Sequence, residues 1–212
     1  LGNSVAKADH TITGLAADPA AGVVDGSSAL SATASSGLAV TFGSSTEARC
    51  TVAGSTVTYL TAGTCAVTAN QAGDDDYNAA PQVTLGISVA KTDQTISGLA
   101  ADPTAGVVDG SSALSATASS GLAVTFGSST PAVCTVAGST VAYLTVGTCT
   151  VTADQVGDDN YNAATQVTTN ITVAKADQTI SAFTANPVNG IVGGNSTLSA
   201  TASSGLAVAF GS

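Results

Sequence analysis

The chain has 212 residues, of which 44% are hydrophobic, and it carries 4 Lys and Arg against 14 Asp and Glu, a formal net charge of −10. Nucleic-acid binding is not expected, because phosphate contacts need several basic side chains together, and those of this chain (Lys7, Arg49, Lys91 and Lys175) are widely scattered. No apolar run approaches the roughly 18 residues of a membrane-spanning helix, so the sequence predicts no membrane insertion for this segment.

An internal repeat organises the sequence. The segment VAKADHTITGLAADP at Val5 returns as VAKTDQTISGLAADP at Val89, an offset of 84 residues (89 − 5), and a third copy starts VAKADQTISAFTANP at Val173. We therefore expect a stretch of a longer array. The predicted boundaries are the end of a preceding repeat at 1–4, one repeat at 5–88, a second at 89–172, and the first part of a third at 173–212.

Each repeat contains short segments in which apolar and polar residues alternate, and helical periodicity is absent. In chain order the first repeat reads HTITGL, ALSATASS, LAVTF, CTVAG, STVTYL, CAVTANQ and VTLGISV. The alternation predicts that Leu30, Ala32 and Ala34 face inward, and that GVVDGSS between the first two segments is a turn. About seven short strands between turn signals predict an all-β, immunoglobulin-like sandwich of two antiparallel sheets.

The connection between consecutive repeats is very short. The segment ISVA at the end of the first repeat runs through Lys91-Thr92-Asp93 into QTI of the second, with no Gly/Ser-rich spacer. We expect neighbouring repeats to touch, so that the tandem domains form a semi-rigid, rod-like array.

The four cysteines recur once per full repeat as the pairs Cys50/Cys65 and Cys134/Cys149. Zinc sites favour two to four residues between ligands and more ligands than are present here, and redox centres favour Cys-x-x-Cys. Strand topology brings both cysteines of a pair to one end of the sandwich, which favours a disulfide that ties a hairpin to a strand of the other sheet. A pair of reduced buried thiols is the alternative. Regularly spaced cysteines in even number favour an oxidising, extracellular compartment.

Two acidic loops, GDDDYNAA and GDDNYNAA, are the only dense clusters of oxygen ligands, and they make calcium a candidate cofactor. The candidate ligands are Asp74, Asp75, Asp76, Asp158 and Asp159. The EF-hand spacing is missing, so the favoured interpretation is a solvated loop in which an aspartate forms a turn and Tyr77 or Tyr161 packs over the sandwich end. No other cofactor is predicted.

Catalysis is not predicted in this segment. The one histidine, His10, is replaced by Gln94 and Gln178 at the equivalent positions of the other copies, so no catalytic triad recurs with the repeat.

The segments LSATASSGLAVTFGSST and CTVAGSTVTYLTAGTCAVTANQAGDDDYNAAPQV resemble the bacterial immunoglobulin-like (Big-type) tandem repeats of large secreted and surface proteins, over essentially the whole chain. The resemblance implies an extracellular or cell-surface location and a role as a stalk or spacer in adhesin-like proteins. The chain departs from the antibody pattern because it has no Trp, and its cysteine pairs are not expected to join strand B to strand F but to tie the D–E hairpin to strand F of the other sheet.

The sequence is compatible with three functions. The first is a structural stalk or spacer, adhesion-related, whose partners are the neighbouring repeats of the same chain. The second is a subunit of an extracellular filament built by association of repeats, with identical chains as partners. The third is a glycan-binding accessory module, which the low aromatic content of 4% disfavours.

Overall fold

The computed structural model describes residues 5–211, so the predicted tail of a preceding repeat at 1–4 lies outside the described residues. Within 5–211 the regular structure is all strand, and no helix is long and apolar enough to cross a membrane. The first set of strands is β1 Ile12–Asp18, β2 Gly22–Val23, β3 Ser27–Ala34, β4 Thr41–Ser44, β5 Cys50–Ala53, β6 Thr56–Tyr59, β7 Gly63–Asn70 and β8 Val83–Ala90. The second set is β9 Ile96–Asp102, β10 Gly106–Val107, β11 Ser111–Ala118, β12 Thr125–Ser128, β13 Cys134–Ala137, β14 Thr140–Tyr143, β15 Gly147–Asp154 and β16 Val167–Ala174. The third copy contributes β17 Ile180–Asn186 and β18 Thr197–Ala202.

Two four-stranded sheets form the first sandwich, with strand orders β1-β3-β6-β5 and β2-β8-β7-β4. The long pairings are antiparallel, and the two-residue β2 runs parallel to β8. With β1 as strand A and β8 as strand G, this is the A-B-E-D and G-F-C arrangement of immunoglobulin-like domains. The predicted all-β, immunoglobulin-like fold is therefore confirmed.

The core lies between the two sheets, and alternation along the strands fills it. On β3, Leu30 and Ala34 are buried and Ala32 is half-buried, whereas the intervening Ser31 and Thr33 face solvent, as their alternation predicts. The buried cluster of the first sandwich contains Val24, Leu30, Cys50, Val57, Tyr59, Cys65, Val67, Ile87 and Val89.

Strands β9–β16 repeat this arrangement, with sheet orders β13-β14-β11-β9 and β10-β16-β15-β12. Their buried cluster uses equivalent residues, among them Leu114, Tyr143, Val151 and Ile171. In the third copy, β17 and β18 form an antiparallel hairpin.

Two predicted segments differ from the structure. In LAVTF, only the end is a strand, because β4 starts at Thr41, while Leu38 and Val40 are half-buried in irregular backbone. The reason is topological: β3 and β4 belong to different sheets, so the intervening chain crosses between sheets and finds no strand to pair with. In GVVDGSS, the predicted turn is preceded by β2, which pairs through Gly22 and Val23 with the end of β8.

The chain forms two compact units. One comprises residues up to Leu99 together with 115–125 and 153–167; the other comprises 100–114, 126–152 and 168 onward. The loop between β15 and β16 therefore belongs to the same unit as the first sandwich. The repeat boundaries after residues 88 and 172 stay predictions from the sequence.

Candidate functional site: the disulfide clamps and the inter-repeat contact

Each sandwich carries one disulfide between its two sheets. Cys50 on β5 is bonded to Cys65 on β7, with their Cα atoms 5.8 Å apart, and Cys134 on β13 is bonded to Cys149 on β15 at 5.6 Å. All four residues are fully buried. Because each sulfur is bonded to another sulfur, these positions hold no thiolate that could bind zinc. The arrangement covalently joins strand D of one sheet to strand F of the other.

The two acidic loops, 73–78 and 157–162, share one internal structure. Oδ1 of Asp74 accepts hydrogen bonds from the backbone N–H groups of Asp76 and Tyr77, both at 2.9 Å. Oδ1 of Asp158 accepts from Asn160 at 2.7 Å and Tyr161 at 2.9 Å in the same way. The first aspartate of each loop is therefore a turn-forming residue.

A lysine and the chain entering each sandwich anchor these loops. Nζ of Lys7 donates to the carbonyl of Asp74 at 2.6 Å, and Lys91 does the same to Asp158. Tyr77 and Tyr161 form parallel bridges with Ala8 and Thr92 respectively. The loops are thus held in shape by their own repeats.

Over residues 5–211, no group of three or more His, Cys, Asp or Glu side chains is placed to hold a metal ion. Two of the candidate calcium ligands, Asp74 and Asp158, already use Oδ1 for the turn, and Asp75, Asp76 and Asp159 belong to no such group among the described residues. Calcium binding stays an untested prediction.

The loop at 157–162 contacts the end of the first sandwich through side chains, all within the first compact unit. The hydroxyl of Tyr161 donates to Oδ2 of Asp25 at 2.7 Å. Oδ1 of Asn160 accepts from the backbone N–H of Ala62 at 3.1 Å. We call the surface that Tyr161, Asn160 and Thr92 form with the first sandwich the inter-repeat contact.

Thr92, in the short connection between the repeats, completes the inter-repeat contact. Its Oγ1 donates to the carbonyl of Val24 at 2.5 Å, and its backbone N–H donates to the carbonyl of Asn160 at 2.9 Å. The connection is therefore hydrogen-bonded both to the sandwich that it leaves and to the loop of the one that it enters.

Asp25 changes the ionisation of its partner. The hydrogen bond to Asp25 raises the pKa of Tyr161 above its ordinary value, and partial desolvation and the negative charges of Asp25 and Asp158 act in the same direction. Each cause favours the neutral phenol over the phenolate. The protonated tyrosine is consequently the form that binds Asp25.

A shallow cavity lies beside the inter-repeat contact, lined by Ala48, Arg49, Thr61, Ala62, Asp159 and Asn160. Nη1 of Arg49 donates to the carbonyl of Ala62 at 2.5 Å. The guanidinium of Arg49 and the carboxylate of Asp159 thus border the same cavity. Their opposite charges favour the contact between the first sandwich and the loop at 157–162.

The sequence indicates the tyrosine loops but not the residue that Tyr161 contacts. It placed Tyr161 over its own sandwich end, whereas the hydroxyl reaches Asp25 of the first sandwich. Asp25 lies in the GVVDG segment at φ 66, a left-handed conformation that is uncommon for residues with a side chain. The Asp-Gly pair was a turn signal in the sequence, but nothing in it indicated a partner for the carboxylate.

The burial of two tyrosines, Tyr59 and Tyr143, is relevant to the glycan-binding alternative. Tyr59 and Tyr143 are 1% and 2% exposed, and their hydroxyls donate to Ser28 and Ser112 at 2.7 and 2.6 Å. Buried rings cannot stack against a sugar, so neither residue provides a binding platform.

No protein-family model and no curated protein matches the sequence. Among solved structures, the chain is similar to domains 1–6 of the surface-layer protein SbsC, at 16% identity and a TM-score of 0.30, covering 86% of this chain and 30% of that one. A C-terminal fragment of intimin, solved in complex with the intimin-binding domain of its translocated receptor, is 20% identical with a TM-score of 0.30, covering 80% of this chain and 66% of that one. The Escherichia coli adhesin FdeC is 15% identical with a TM-score of 0.31, covering 88% and 70%. This chain thus spans less than a third of the SbsC structure, and overall similarity at this level assigns neither a family nor a function.

Proposed function

We propose that this chain is a structural segment of an extracellular, cell-surface protein, in which immunoglobulin-like repeats set the length and stiffness of a stalk. The observation that carries this proposal is the inter-repeat contact. Three side chains, those of Tyr161, Asn160 and Thr92, bind the end of the first sandwich at 2.7, 3.1 and 2.5 Å. Hydrogen bonds at a short connection restrict bending, which a spacer needs and a flexible tether does not.

The disulfides support the extracellular setting. Both full repeats carry a buried disulfide between their sheets, and such bonds persist in oxidising compartments. A bacterial, adhesion-related setting is supported by the resemblance of the repeats to those of secreted and surface proteins.

The position of the disulfide also suits a chain under tension. The bond joins β5 to β7, so the backbone from Cys50 to Cys65, including the hairpin with β6, cannot extend when the sandwich is pulled open. The core that it reinforces is rich in small and β-branched residues, and closing a loop of this size contributes about 3 kcal/mol in the chain-entropy model.

Small-angle X-ray scattering of the purified chain tests the proposal. We expect an elongated monomer whose pair-distance distribution has a long tail. A compact particle with the two complete repeats packed side by side would contradict the stalk. Electron microscopy of the same sample tests the filament alternative, because long assemblies would support it and dispersed short rods would exclude it.

A further inference from the structure

One turn, which we call the corner, has the same backbone conformation in all three copies of the repeat. The residue at the corner is the same in the first two copies and different in the third. The equivalent segments are GVVDG, GVVDG and GIVGG, in which Asp25, Asp109 and Gly193 occupy the same place. Their φ angles are 66°, 66° and 79°. Glycine adopts this left-handed region without steric cost, and aspartate does not. The backbone alone therefore gives no reason for aspartate at the first two corners.

The surrounding backbone is the same at the first two corners. The N–H of Asp25 donates to the carbonyl of Tyr59, and that of Asp109 donates to Tyr143, each at 3.0 Å. Both corners are exposed to solvent. The aspartate side chain thus has a partner outside its own turn at the first corner, where its Oδ2 accepts from the hydroxyl of Tyr161 at 2.7 Å.

We propose that this corner residue determines how firmly a repeat binds the repeat that follows it. An aspartate accepts the tyrosine hydroxyl of the following G-D-D-[D/N]-Y-N loop and restrains the connection. A glycine, as at Gly193, presents no carboxylate and leaves a connection that bends more freely. The surface around Asp109 is then an acceptor for a loop of the same type as 157–162, and the array contains connections of two stiffnesses. This inference rests on the proposed stalk function.

The tyrosine loop is ready for this contact before it binds. Loop 73–78 of the first repeat has the same aspartate turn, lysine anchor and bridge as loop 157–162, although no preceding sandwich contacts it among the described residues. Little conformational freedom is lost when such a loop docks, which makes a single hydrogen bond effective in fixing the connection.

The variant Asp25→Gly tests the proposal, because it reproduces the third-copy corner without altering the backbone conformation. Asp109→Gly is the matched control: it removes the same charge and the same left-handed aspartate, but among the described residues no tyrosine hydroxyl is bonded to the carboxylate of Asp109. Spin labels introduced through unnatural amino acids at Ser31 and Ser115, equivalent exposed positions on β3 and β11, report the distance between the two sandwiches by pulsed EPR. Labelled-tyrosine NMR reports the ionisation of Tyr161.

We expect Asp25→Gly to broaden the distance distribution and to lower the pKa of Tyr161 towards its ordinary value, while Asp109→Gly changes neither. Tyr161→Phe should broaden the distribution as Asp25→Gly does. The proposal is wrong if Asp25→Gly leaves a narrow distribution unchanged, or if both glycine variants broaden it equally. If the distance distribution is narrow in the wild-type chain and stays narrow in Asp25→Gly, the stalk function is unaffected and only the role of the corner residue is refuted. If the distribution of the wild-type chain is already as broad as that of Asp25→Gly, both proposals are contradicted.

Discussion

Nε2 of Gln94 donates a 2.6 Å hydrogen bond to Oε1 of Gln155 inside the second sandwich, and the first sandwich has no such bond. Gln94 also donates to the carbonyl of Asn162 at 2.8 Å and accepts from the hydroxyl of Ser120. In the first sandwich His10 occupies the equivalent position. It is only 4% exposed, and neither ring nitrogen has a hydrogen-bond partner.

We expect His10→Gln to stabilise the first repeat by about 1–2 kcal/mol, because a buried polar group without a partner incurs a desolvation cost of that order. The glutamine can bond to Gln71 and Asn78, which stand where Gln155 and Asn162 stand in the second repeat. Urea unfolding followed by NMR, repeat by repeat, measures the change.

The reciprocal variant Gln94→His is the control, and it should destabilise the second repeat by a similar amount. Equal stability of His10→Gln and the wild-type chain would show that the histidine nitrogens are satisfied in solution, for example by water.

The disulfides should set how far each repeat extends under force. Cys50 and Cys65 have a sequence separation of 15, and their Cα atoms are 5.8 Å apart. Since an extended chain spans about 3.6 Å per residue, reduction should add about 50 Å to the length released when a repeat unfolds. Atomic force spectroscopy with and without reductant measures this increment.

Non-reducing mass spectrometry provides the chemical check on the pairing. Peptides linking Cys50 to Cys65 and Cys134 to Cys149 are expected. Free thiols or links between repeats would refute the assignment, and an extension that reductant does not change would argue against the clamp.

Gly22 is required for the packing of Tyr59. A Cβ atom at Gly22 would lie 2.4 Å from Cε2 of the Tyr59 ring, inside the van der Waals limit. Gly22→Ala should therefore destabilise the first repeat by about 1–3 kcal/mol, as overpacking in a core does. Thermal unfolding followed by near-ultraviolet absorption of tyrosine measures the effect.

Gly190 offers the matched control, because it occupies the equivalent position in the third copy and a Cβ atom there meets nothing within 4 Å. Gly190→Ala should leave stability nearly unchanged. Equal destabilisation by the two variants would show that the effect does not come from the tyrosine ring.

The inter-repeat contact should weaken at alkaline pH. Asp25 raises the pKa of Tyr161, so the docked state holds the phenolic proton more tightly than the free loop does. By linkage, the contribution of this contact is fully present below the ordinary tyrosine pKa near 10, and it is lost as the pH rises through the raised value.

NMR relaxation of the two repeats across this pH range should show them becoming more independent. Tyr161→Phe should remove this pH dependence, since phenylalanine has no hydroxyl to ionise. A variant that keeps the full dependence would assign it to another group.

The strand pattern of this protein was readable from alternation because alternate side chains must face the core. Leu30, Val67 and Ile87 are buried where the two-residue period places them inward. At Leu38 and Val40 burial also alternates, since both are half-buried between exposed neighbours, but the predicted strand is absent because the chain there crosses from one sheet to the other. Alternation records which face a residue takes, but it does not record whether a neighbouring strand is available for pairing.

The all-β, immunoglobulin-like class and the recurrence of the cysteine pairs can be predicted from the sequence, because both follow from residue types at regular spacing. The contacts of the acidic loops cannot, because they form only in the folded chain. Tyr161 and Asp25 are far apart in sequence, and their 2.7 Å hydrogen bond arises when the fold brings the end of one sandwich against the loop of the next. Such a contact depends on side-chain direction and on the left-handed corner at Asp25, and neither leaves a periodic signal in the sequence.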